Sequence, residues 1–353
     1  MNAPRLEIHL GKISRNARLL VRSLARVGIG VTGVTKAALG SAEIANAILN
    51  AGVSGLADSR IENIESMRRA GVRGSMTLLR SPMLSQVGRV VAHADVSFNT
   101  ELDVISELSS AARKLDRKHG IVLMVELGDL REGIMPGDLA GVVRQTLRFP
   151  HVVLEGIGAN LACLSGVRPD AKNMAELSAL ADSVDALIGG TLSLVSGGNS
   201  GNLQWALSGA PTGRINDLRL GESVLLGREP LGRNPIHGLH TDAISLVAEV
   251  IESKTKPSRP SGEIGEAAFG VVGPTLGVGD ISQVILALGR QDTDCFGLDA
   301  PPGIEILGAS SDHIIVNAGD SGLPIGSEVR FQLNYSALVR AMTSPFVNRQ
   351  FFN

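Results

Sequence analysis

The sequence predicts an α/β protein in which a closed (β/α)8 barrel of the TIM type is followed by a mostly β C-terminal domain. From Gly30 onward, short apolar strands alternate with amphipathic helices in about eight units, the number that a closed parallel barrel requires. A doubly wound open sheet is the alternative, but such sheets usually have fewer strands. After about Pro235 helical periodicity fades, and glycine, proline and alternating apolar residues become frequent. We therefore expect a barrel domain over residues 1–235, whose N-terminal strand is a candidate member of the other domain, and a β domain over residues 236–353.

The N-terminal segment predicts one strand and one helix. Leu6–Leu10 alternates between apolar and polar residues, as a half-buried strand does. The following segment places Ile13, Ala17, Leu20 and Leu24 on one helical face, because these positions recur every three or four residues.

The strands of the predicted barrel are short and mainly apolar, as expected where a parallel sheet is covered on both faces. They are Val31–Thr35, Gly55–Ala57, Met76–Leu79, Val96–Phe98, Ile121–Leu127, Leu154–Ala159, Leu192–Ser196 and Leu218–Leu225. Helical spacing of apolar residues marks Ser41–Ala51, Ile61–Ala70, Glu101–His119, Asp138–Phe149 and Asp170–Ile188. In the C-terminal domain, alternation predicts strands at Ala243–Ile251, Val284–Leu288, Ile304–Leu307, His313–Val316 and Glu328–Leu333. The Lys-, Pro- and Ser-rich stretch Lys254–Gly262 is predicted to be a loop or linker.

Composition and charge indicate an ordinary globular protein. Of 353 residues, 44% are hydrophobic, and the net charge of −2 gives no electrostatic reason to expect nucleic acid or an anionic membrane. The N-terminus lacks the basic and apolar regions of a signal peptide, and no apolar run approaches membrane-spanning length. The two cysteines, Cys163 and Cys295, are interpreted as reduced thiols. We expect a cytoplasmic protein without membrane or nucleic-acid partners.

A lysine, Lys36, ends the first predicted barrel strand, and polar residues follow nearly every other strand. Active sites of such barrels lie where the strands end, so these groups should share one mouth. An amine at the rim of an apolar core has a lowered pKa, which makes it a usable nucleophile. A strand-end lysine that merely extends to solvent is the alternative. The residues after the strands are Lys36, Asp58, Ser59, Arg60, Arg80, Asn99, Asp129, Arg131, Asn160, Asn199, Ser200 and Arg219. Their convergence favours an active-site function for Lys36.

The segment Ser196–Ser200 has the composition of a phosphate-binding loop, with glycines that turn backbone N–H groups toward an anion and a terminal hydroxyl. An ordinary glycine turn is the alternative. Leu218–Glu222, at the end of the last strand, is a source of further backbone donors beside it. The candidate ligands are Gly198, Asn199, Ser200, Gly221 and Glu222. A reactive lysine and a phosphate cradle in one mouth suggest pyridoxal 5'-phosphate, whose aldehyde bonds an amine.

Four short motifs resemble those of the alanine racemase family of fold-type III pyridoxal-phosphate enzymes. Val-Thr-Lys36-Ala is similar to the family's cofactor-lysine motif, and Leu-Gly-Asp-Leu-Arg131-Glu-Gly to the segment that carries its active-site arginine. Gly-Gly-Asn-Ser200 and Leu-Arg219-Leu-Gly resemble its phosphate-binding and pyridine-binding segments. Within the family, stretches 57–63, 126–136, 289–292, 308–313 and 340–345 most resemble the ornithine racemase branch. The resemblance covers both predicted domains.

The resemblance implies a function for each residue that matches these motifs. Lys36 would bind the cofactor covalently and then act as the base on one face of the substrate Cα. Arg219 would face the pyridine nitrogen. A guanidinium has only donors and stays protonated, so it would leave that nitrogen unprotonated and favour racemisation; decarboxylases of the same fold place a carboxylate there. Arg131 would orient the cofactor or the substrate carboxylate, and Asn160 would pack against the ring, where relatives carry a histidine.

Departures from the family pattern concern its tyrosines. Leu39 stands where the family usually has a phosphate-binding tyrosine, and Phe269 stands in the region where a tyrosine of the partner subunit serves as the second base. The only tyrosine, Tyr335, falls in a later predicted strand, where a core or interface position is favoured over a catalytic one. Asp312 and His313 are therefore the candidate acid–base groups opposite Lys36, since they lie in the segment that contacts substrate in relatives. For His313, a satisfied histidine at the start of a β-strand is the alternative.

The resemblance thus implies a homodimeric racemase that interconverts the L and D forms of ornithine or another basic or polar amino acid, with an active site shared between subunits. Asp129, Glu132 and Asp312 are candidate partners for a side-chain ammonium. A decarboxylase of the same fold and a non-catalytic pyridoxal-phosphate carrier are the alternatives, although single-barrel carriers lack a C-terminal β domain. The histidine pair at 237 and 240 has a conceivable ligand spacing, but no acidic or cysteine residue is nearby, so we predict no metal site.

Overall fold

The computed structural model of the chain describes residues 2–269 and 279–353. Gly11–His240 form one compact unit, and the segment up to Leu10 forms the other together with Thr241–Asn353.

Eight parallel strands close into a barrel in the first unit. The first of them pairs with both its successor and the last, through Gly33 with Leu56 and Val31 with Leu218, which closes the ring. The strands are β2 Gly30–Val34, β3 Gly55–Asp58, β4 Met76–Leu78, β5 Val96–Asn99, β6 His119–Val125, β7 Val152–Ala159, β8 Leu194–Ser196 and β9 Asp217–Leu220. The predicted fold class is confirmed.

Helices follow the barrel strands and cover the ring with their apolar faces. They are α1 Leu10–Ala25, α2 Ala42–Leu49, α3 Ile61–Arg69, α4 Val87–His93, α5 Leu102–Lys114, α6 Leu139–Thr146, α7 Ala171–Ile188, α8 Leu203–Ala206 and α9 Glu222–Leu226. In α3, for example, Ile61, Ile64 and Met67 are fully buried, which is the three-residue spacing that a helix needs to bury one face. None of the helices in the described ranges is both long and apolar enough to cross a membrane.

Two predicted barrel elements continue about five residues beyond the C-terminal ends that the structure shows. The last strand stops at Leu220 rather than Leu225, because the chain leaves extended geometry at Gly221, whose carbonyl then accepts the Val224 N–H at 3.1 Å and begins α9. Helix α5 ends at Lys114 rather than continuing to residue 119, since Asp116 turns left-handed at φ 49°. A short apolar run does not by itself distinguish strand from helix.

The second unit is built on one β-sheet with a single α-helix in the described residues. The strands are β1 Arg5–His9, β10 Ile244–Pro257, β11 Asp280–Leu286, β12 Leu298–Asp299, β13 Glu305–Ala309, β14 Ile314–Asn317, β15 Glu328–Leu333 and β16 Asn348–Phe352, and the helix is α10 Tyr335–Thr343. The strand order is β12-β15-β10-β11-β14-β13. The N-terminal strand β1 joins this sheet, because Leu6 pairs antiparallel with Leu246 and parallel with Arg349.

Two expectations for this unit are wrong. Residues 254–257 are not linker, because β10 continues to Pro257, which pairs with Asp280 on β11. Tyr335 begins α10 rather than lying in a strand, and the preceding Asn334 caps that helix by accepting the Ala337 N–H at 2.9 Å.

Candidate active site

Lys36 stands directly after β2, at the carboxyl end of the barrel, and begins a single 3-10 turn. Its side chain is open to solvent at the mouth, yet enough protein surrounds the ammonium for desolvation to lower its pKa. Cys163 opposes that shift, whereas the positive charges of Arg131 and Arg219 add to it. The structure therefore brings an amine with a lowered pKa into the same electrostatic neighbourhood as two arginines.

A buried carboxylate fixes the turn that carries Lys36. Asp58, at the end of the neighbouring strand β3, accepts the Thr35 hydroxyl at 2.8 Å and the Asn63 amide at 2.9 Å. Asp58 is fully buried, and burial raises its pKa in spite of these donors. Because Thr35 directly precedes Lys36, this hydrogen bond ties the lysine's backbone to the next strand.

Arg131 lies on the loop that follows β6, and a glutamate that sequence reasoning missed holds that loop. The carboxylate of Glu126 accepts the backbone N–H groups of Gly128, Leu130 and Arg131 at 2.5, 3.0 and 3.2 Å. The Arg131 guanidinium pairs with its neighbour Glu132 and donates from Nη1 to the Cys163 sulfur at 2.7 Å. Glu132 is therefore already an ion-pair partner of Arg131.

Asp129 fixes the next loop instead of facing an open space. Its fully buried carboxylate accepts backbone N–H groups of the loop after β7, from Leu164 at 2.8 Å and from Cys163 and Val167 at 3.2 Å. Ser165 adds a hydrogen bond from its hydroxyl to the Asp129 carbonyl at 2.8 Å. Asp129, which the sequence analysis considered as a partner for a substrate ammonium, therefore uses its carboxylate to bind the backbone of the loop that carries Cys163.

The predicted phosphate loop follows β8. Gly198 adopts φ 147°, and a Cβ there would meet Asn202 Oδ1 at 2.1 Å, so only glycine fits. Asn199 accepts the Gly201 N–H at 2.7 Å and donates to the Leu161 carbonyl at 2.7 Å. The Ser200 hydroxyl contacts the Ser223 hydroxyl at 3.0 Å, which joins this loop to the start of α9.

Arg219 is buried within the barrel and almost completely hydrogen-bonded. Its Nη1 donates to the Ser196 hydroxyl at 2.6 Å, and its Nη2 donates to the Ala159 carbonyl at 2.8 Å and to Asn160 Oδ1 at 3.2 Å. The guanidinium carbon lies 5.1 Å from the centre of the Phe98 ring. Burial lowers the pKa of Arg219 to about 10, against the opposing charge of Asp217.

The next two predicted ligands follow Arg219 in the chain. Gly221 packs closely on β2, where an added Cβ would meet Val34 Cβ at 3.2 Å. Glu222 begins α9, and within the described residues no hydrogen bond or ion pair engages its side chain. Burial raises the pKa of Glu222 to about 7, while the charges of Arg233 and Lys36 oppose the shift.

Asp312 and His313 belong to the β unit, on the turn between β13 and β14. His313 Nδ1 lies 2.9 Å from Asp312 Oδ1, and both side chains are exposed. The hydrogen bond from Ser311 and the charge of His313 lower the pKa of Asp312. Phe269, also exposed, stacks on the Arg290 guanidinium at 4.5 Å.

Of the predicted site residues, the structure thus gathers Lys36, Arg131, Asn160, Arg219 and the Ser196–Ser200 loop at the barrel mouth, and it places Asp312 and His313 in the other unit. Within the described ranges, no three His, Cys, Asp or Glu side chains group as metal ligands. Sequence reasoning missed Asp217. The available signal was its position two residues before Arg219 in a strand, which directs both side chains to the same face.

Comparison with known sequences identifies the family. The family model described as alanine racemase, N-terminal domain, matches residues 8–229. An ornithine racemase of Acetoanaerobium sticklandii is 36% identical over 98% of this chain and 99% of its own length. A lysine racemase of Thermotoga maritima is 37% identical over 98% of each chain.

Solved structures agree at the level of the fold. An alanine racemase from a D-cycloserine-producing Streptomyces lavendulae superposes with a TM-score of 0.78 over all of this chain and 98% of its own, at 18% identity. A D-threonine aldolase from Filomicrobium marinum reaches 0.75 over 99% of this chain and 91% of its own, also at 18% identity. Since these two carry different activities, structural likeness alone fixes the architecture and not the reaction. The matches along the sequence fix the family, and the chain belongs to the alanine racemase family.

Proposed function

We propose that this protein is a pyridoxal-phosphate-dependent racemase that inverts Cα of a basic amino acid, ornithine or lysine, in a homodimer. The observation that carries the proposal is the Lys36 amine, with its lowered pKa, among Arg219, Arg131 and the Ser196–Ser200 loop. Full-length likeness to an ornithine racemase and a lysine racemase supports the reaction and the substrate class.

The residues at the mouth fit pyridoxal phosphate. Among the described residues, the Arg219 Nε has no hydrogen-bond acceptor, and the buried Asn160 Nδ2 has none either, so both can donate to a bound molecule. The backbone N–H groups of Ser200 and Glu222 likewise lack acceptors within the described ranges, and the Ser200 hydroxyl lies beside them. Donors of this kind suit the pyridine nitrogen and the phosphate.

When bound, pyridoxal phosphate supplies an aldehyde that reacts with amines and a ring that draws electrons from Cα and so acidifies its hydrogen. Lys36, whose pKa is lowered by desolvation at the mouth, offers an Nζ that could carry the cofactor and then take or return the Cα proton on one face. Arg219, whose Nε has no acceptor among the described residues, would donate to the ring nitrogen and leave it unprotonated, which would limit electron withdrawal by the ring and favour reprotonation of Cα. Arg131, held by Glu126 and Cys163, is positioned to orient a carboxylate.

Inversion also needs a proton group on the opposite face. We assign it to the Asp312–His313 pair of the β domain of a second copy, because the two side chains are exposed, hydrogen-bonded to each other and not committed to a strand ladder. A homodimer with shared active sites follows from this assignment.

For a basic substrate, an acidic side chain must meet the ω-ammonium. Asp129 accepts backbone N–H groups, Glu132 pairs with Arg131, and Asp312 is hydrogen-bonded to His313. Glu222, whose side chain has no hydrogen bond or ion pair among the described residues, is therefore the candidate partner of the ω-ammonium.

The alternatives make different products. A decarboxylase would release carbon dioxide from the same substrates, and a carrier would bind cofactor without exchanging any Cα hydrogen. Arg219 in place of a carboxylate favours racemisation over decarboxylation, and the C-terminal β unit is unexpected in a single-barrel carrier.

The test is Cα hydrogen exchange in deuterium oxide, followed by proton NMR and chiral chromatography, with L-ornithine, L-lysine, L-alanine and L-glutamate. We expect exchange and loss of optical rotation with the two basic amino acids, no carbon dioxide, and neither with K36A. Bound cofactor without exchange of any amino acid would support the carrier, and stoichiometric carbon dioxide would support the decarboxylase.

A further inference from the structure

A chain of buried polar side chains runs beneath the barrel mouth and connects three neighbouring strands. Thr32 on β2 donates its hydroxyl to Asp217 Oδ1 on β9 at 2.7 Å. Ser196 on β8 donates to Asp217 Oδ2 at 2.5 Å, and Ser196 in turn accepts from Arg219 Nη1 at 2.6 Å. Asp217 is therefore connected to Arg219 through a single hydroxyl.

This chain contains a buried carboxyl group and a buried guanidinium. Asp217 is 4% exposed and Arg219 is 5% exposed. Charges so far from water persist only when they are paired and hydrogen-bonded. Desolvation lowers the pKa of Arg219; the charge of Asp217 opposes this shift, and the charge of Arg131 adds to it. Desolvation in turn raises the pKa of Asp217, whereas hydrogen bonds from Ser196 and Thr32 and the charge of Arg219 lower it.

The geometry also fixes where the guanidinium points. Ser196 and the Ala159 carbonyl hold the two terminal nitrogens, which leaves Nε as the donor without an acceptor among the described residues. An arginine that lost its Ser196 hydrogen bond would be freer to rotate. An arginine that lost its charge could accept a proton from the ligand.

We propose that Asp217 is a positioning residue that, through the Ser196 hydroxyl, keeps Arg219 charged and aimed at the cofactor nitrogen, and thereby restrains the enzyme to racemisation. The role in reaction choice rests on the proposed function; the control of the Arg219 charge does not. The side reaction to be restrained is transfer of the substrate nitrogen. In this side reaction, the amino acid is oxidised to its 2-oxo acid. The cofactor aldehyde is reduced to an amine, which receives the substrate nitrogen and a proton at C4'.

The variants are D217N, which removes the charge at constant size, and S196A, which removes the hydroxyl link but keeps the charge. T32V is the matched control, because it takes away the other hydroxyl that binds Asp217 and leaves the Ser196–Arg219 link intact. S196A carries the test if D217N does not fold.

Two readouts separate this inference from the proposed function. In cofactor-free protein, the 13Cζ NMR signal of Arg219, assigned with R219K, is followed against pH. We expect the guanidinium to lose its proton at a pH at least about one unit lower in D217N and S196A, and at an unchanged pH in T32V, because a hydrogen bond to a charged group is worth about tenfold or more in an equilibrium constant. This result needs no cofactor and no activity.

In the cofactor-loaded enzyme, 2-oxo acid formed per racemisation event is measured with L-ornithine and L-lysine. We expect the ratio to rise about tenfold in D217N and S196A and to stay within about twofold of wild type in T32V. An unchanged Arg219 titration in both variants would overturn the inference. So would an unchanged product ratio in variants that titrate as expected. If the wild type racemises nothing while the NMR shifts appear, the proposed function fails and the control of the Arg219 charge stands.

Discussion

Removing both members of the buried Asp217–Arg219 pair should destabilise the barrel by less than the sum of the two single removals. In R219M, Asp217 keeps its two hydroxyl donors at 2.7 and 2.5 Å but loses its counter-charge, so we expect a cost of about 3 kcal/mol, at the low end for a broken buried pair. D217L leaves the guanidinium uncompensated and should cost about as much. In the double variant no buried charge remains. The Thr32 and Ser196 hydroxyls lose an acceptor, and the Ala159 carbonyl and Asn160 Oδ1 lose a donor, at about 1 kcal/mol each and so about 4 kcal/mol in all.

These values predict that the double variant costs about 2 kcal/mol less than the two single variants together, which is a coupling energy of about 2 kcal/mol. The assay is urea unfolding without added cofactor. The single tryptophan, Trp205, lies on α8 and is buried, so its fluorescence reports the barrel unit. Costs that add to within about 0.5 kcal/mol would refute the pairing, since that is how independent sites behave.

Three further changes probe the mouth. Burial raises the Glu222 pKa from 4.5 to about 7, so the folded protein loses stability as the pH rises through that window and the buried carboxyl group becomes charged. The variant E222Q should therefore match the wild-type stability below pH 4.5 and exceed it by up to about 3 kcal/mol above pH 7 in urea unfolding. A constant difference in stability between pH 4 and pH 8 would contradict this. D129N replaces one of the two carboxylate oxygens that accept loop N–H groups by an NH2 donor, so it should cost about 2 kcal/mol and speed proteolysis at Cys163–Val167. The exposed control D320N should change neither the stability nor the proteolysis rate. In G198A the added Cβ would lie 2.1 Å from Asn202 Oδ1 on a backbone with φ 147°, so the variant should bind pyridoxal phosphate at least about tenfold more weakly in a fluorescence titration. The control G88A has open space around the added Cβ and should bind the cofactor normally. Equal affinities in the two variants would contradict the assignment of the Ser196–Ser200 loop to phosphate binding.

The barrel and the position of Lys36 could be predicted because they depend on local pattern. Buried parallel strands are apolar on both faces, and their carboxyl ends must meet at one mouth, so a lysine after such a strand has few other places to lie. The ends of the elements were harder to predict from the sequence. Strand β9 ends at a turn at Gly221 that an apolar run does not reveal. Pro257 remains in β10 because it pairs with Asp280 on β11.

The supporting carboxylates could not be assigned in the same way. Asp217 needs Ser196 and Thr32, which lie on the two strands beside its own, and Asp129 needs the backbone of a loop more than thirty residues away. Such pairings depend on strand register and loop path, which local spacing does not determine. The family motifs identify Arg219 as a site residue, but they give no function to Asp217, the acid that we propose keeps Arg219 charged.

The most direct test of the central claim, that the Lys36 amine at the barrel mouth carries the cofactor, is borohydride reduction of the protein with pyridoxal phosphate, followed by peptide mass spectrometry. We predict one phosphopyridoxyl group per chain, on Lys36 alone, with no incorporation into K36A beyond background. Stoichiometric label on any other lysine, or undiminished label in K36A, would contradict the account.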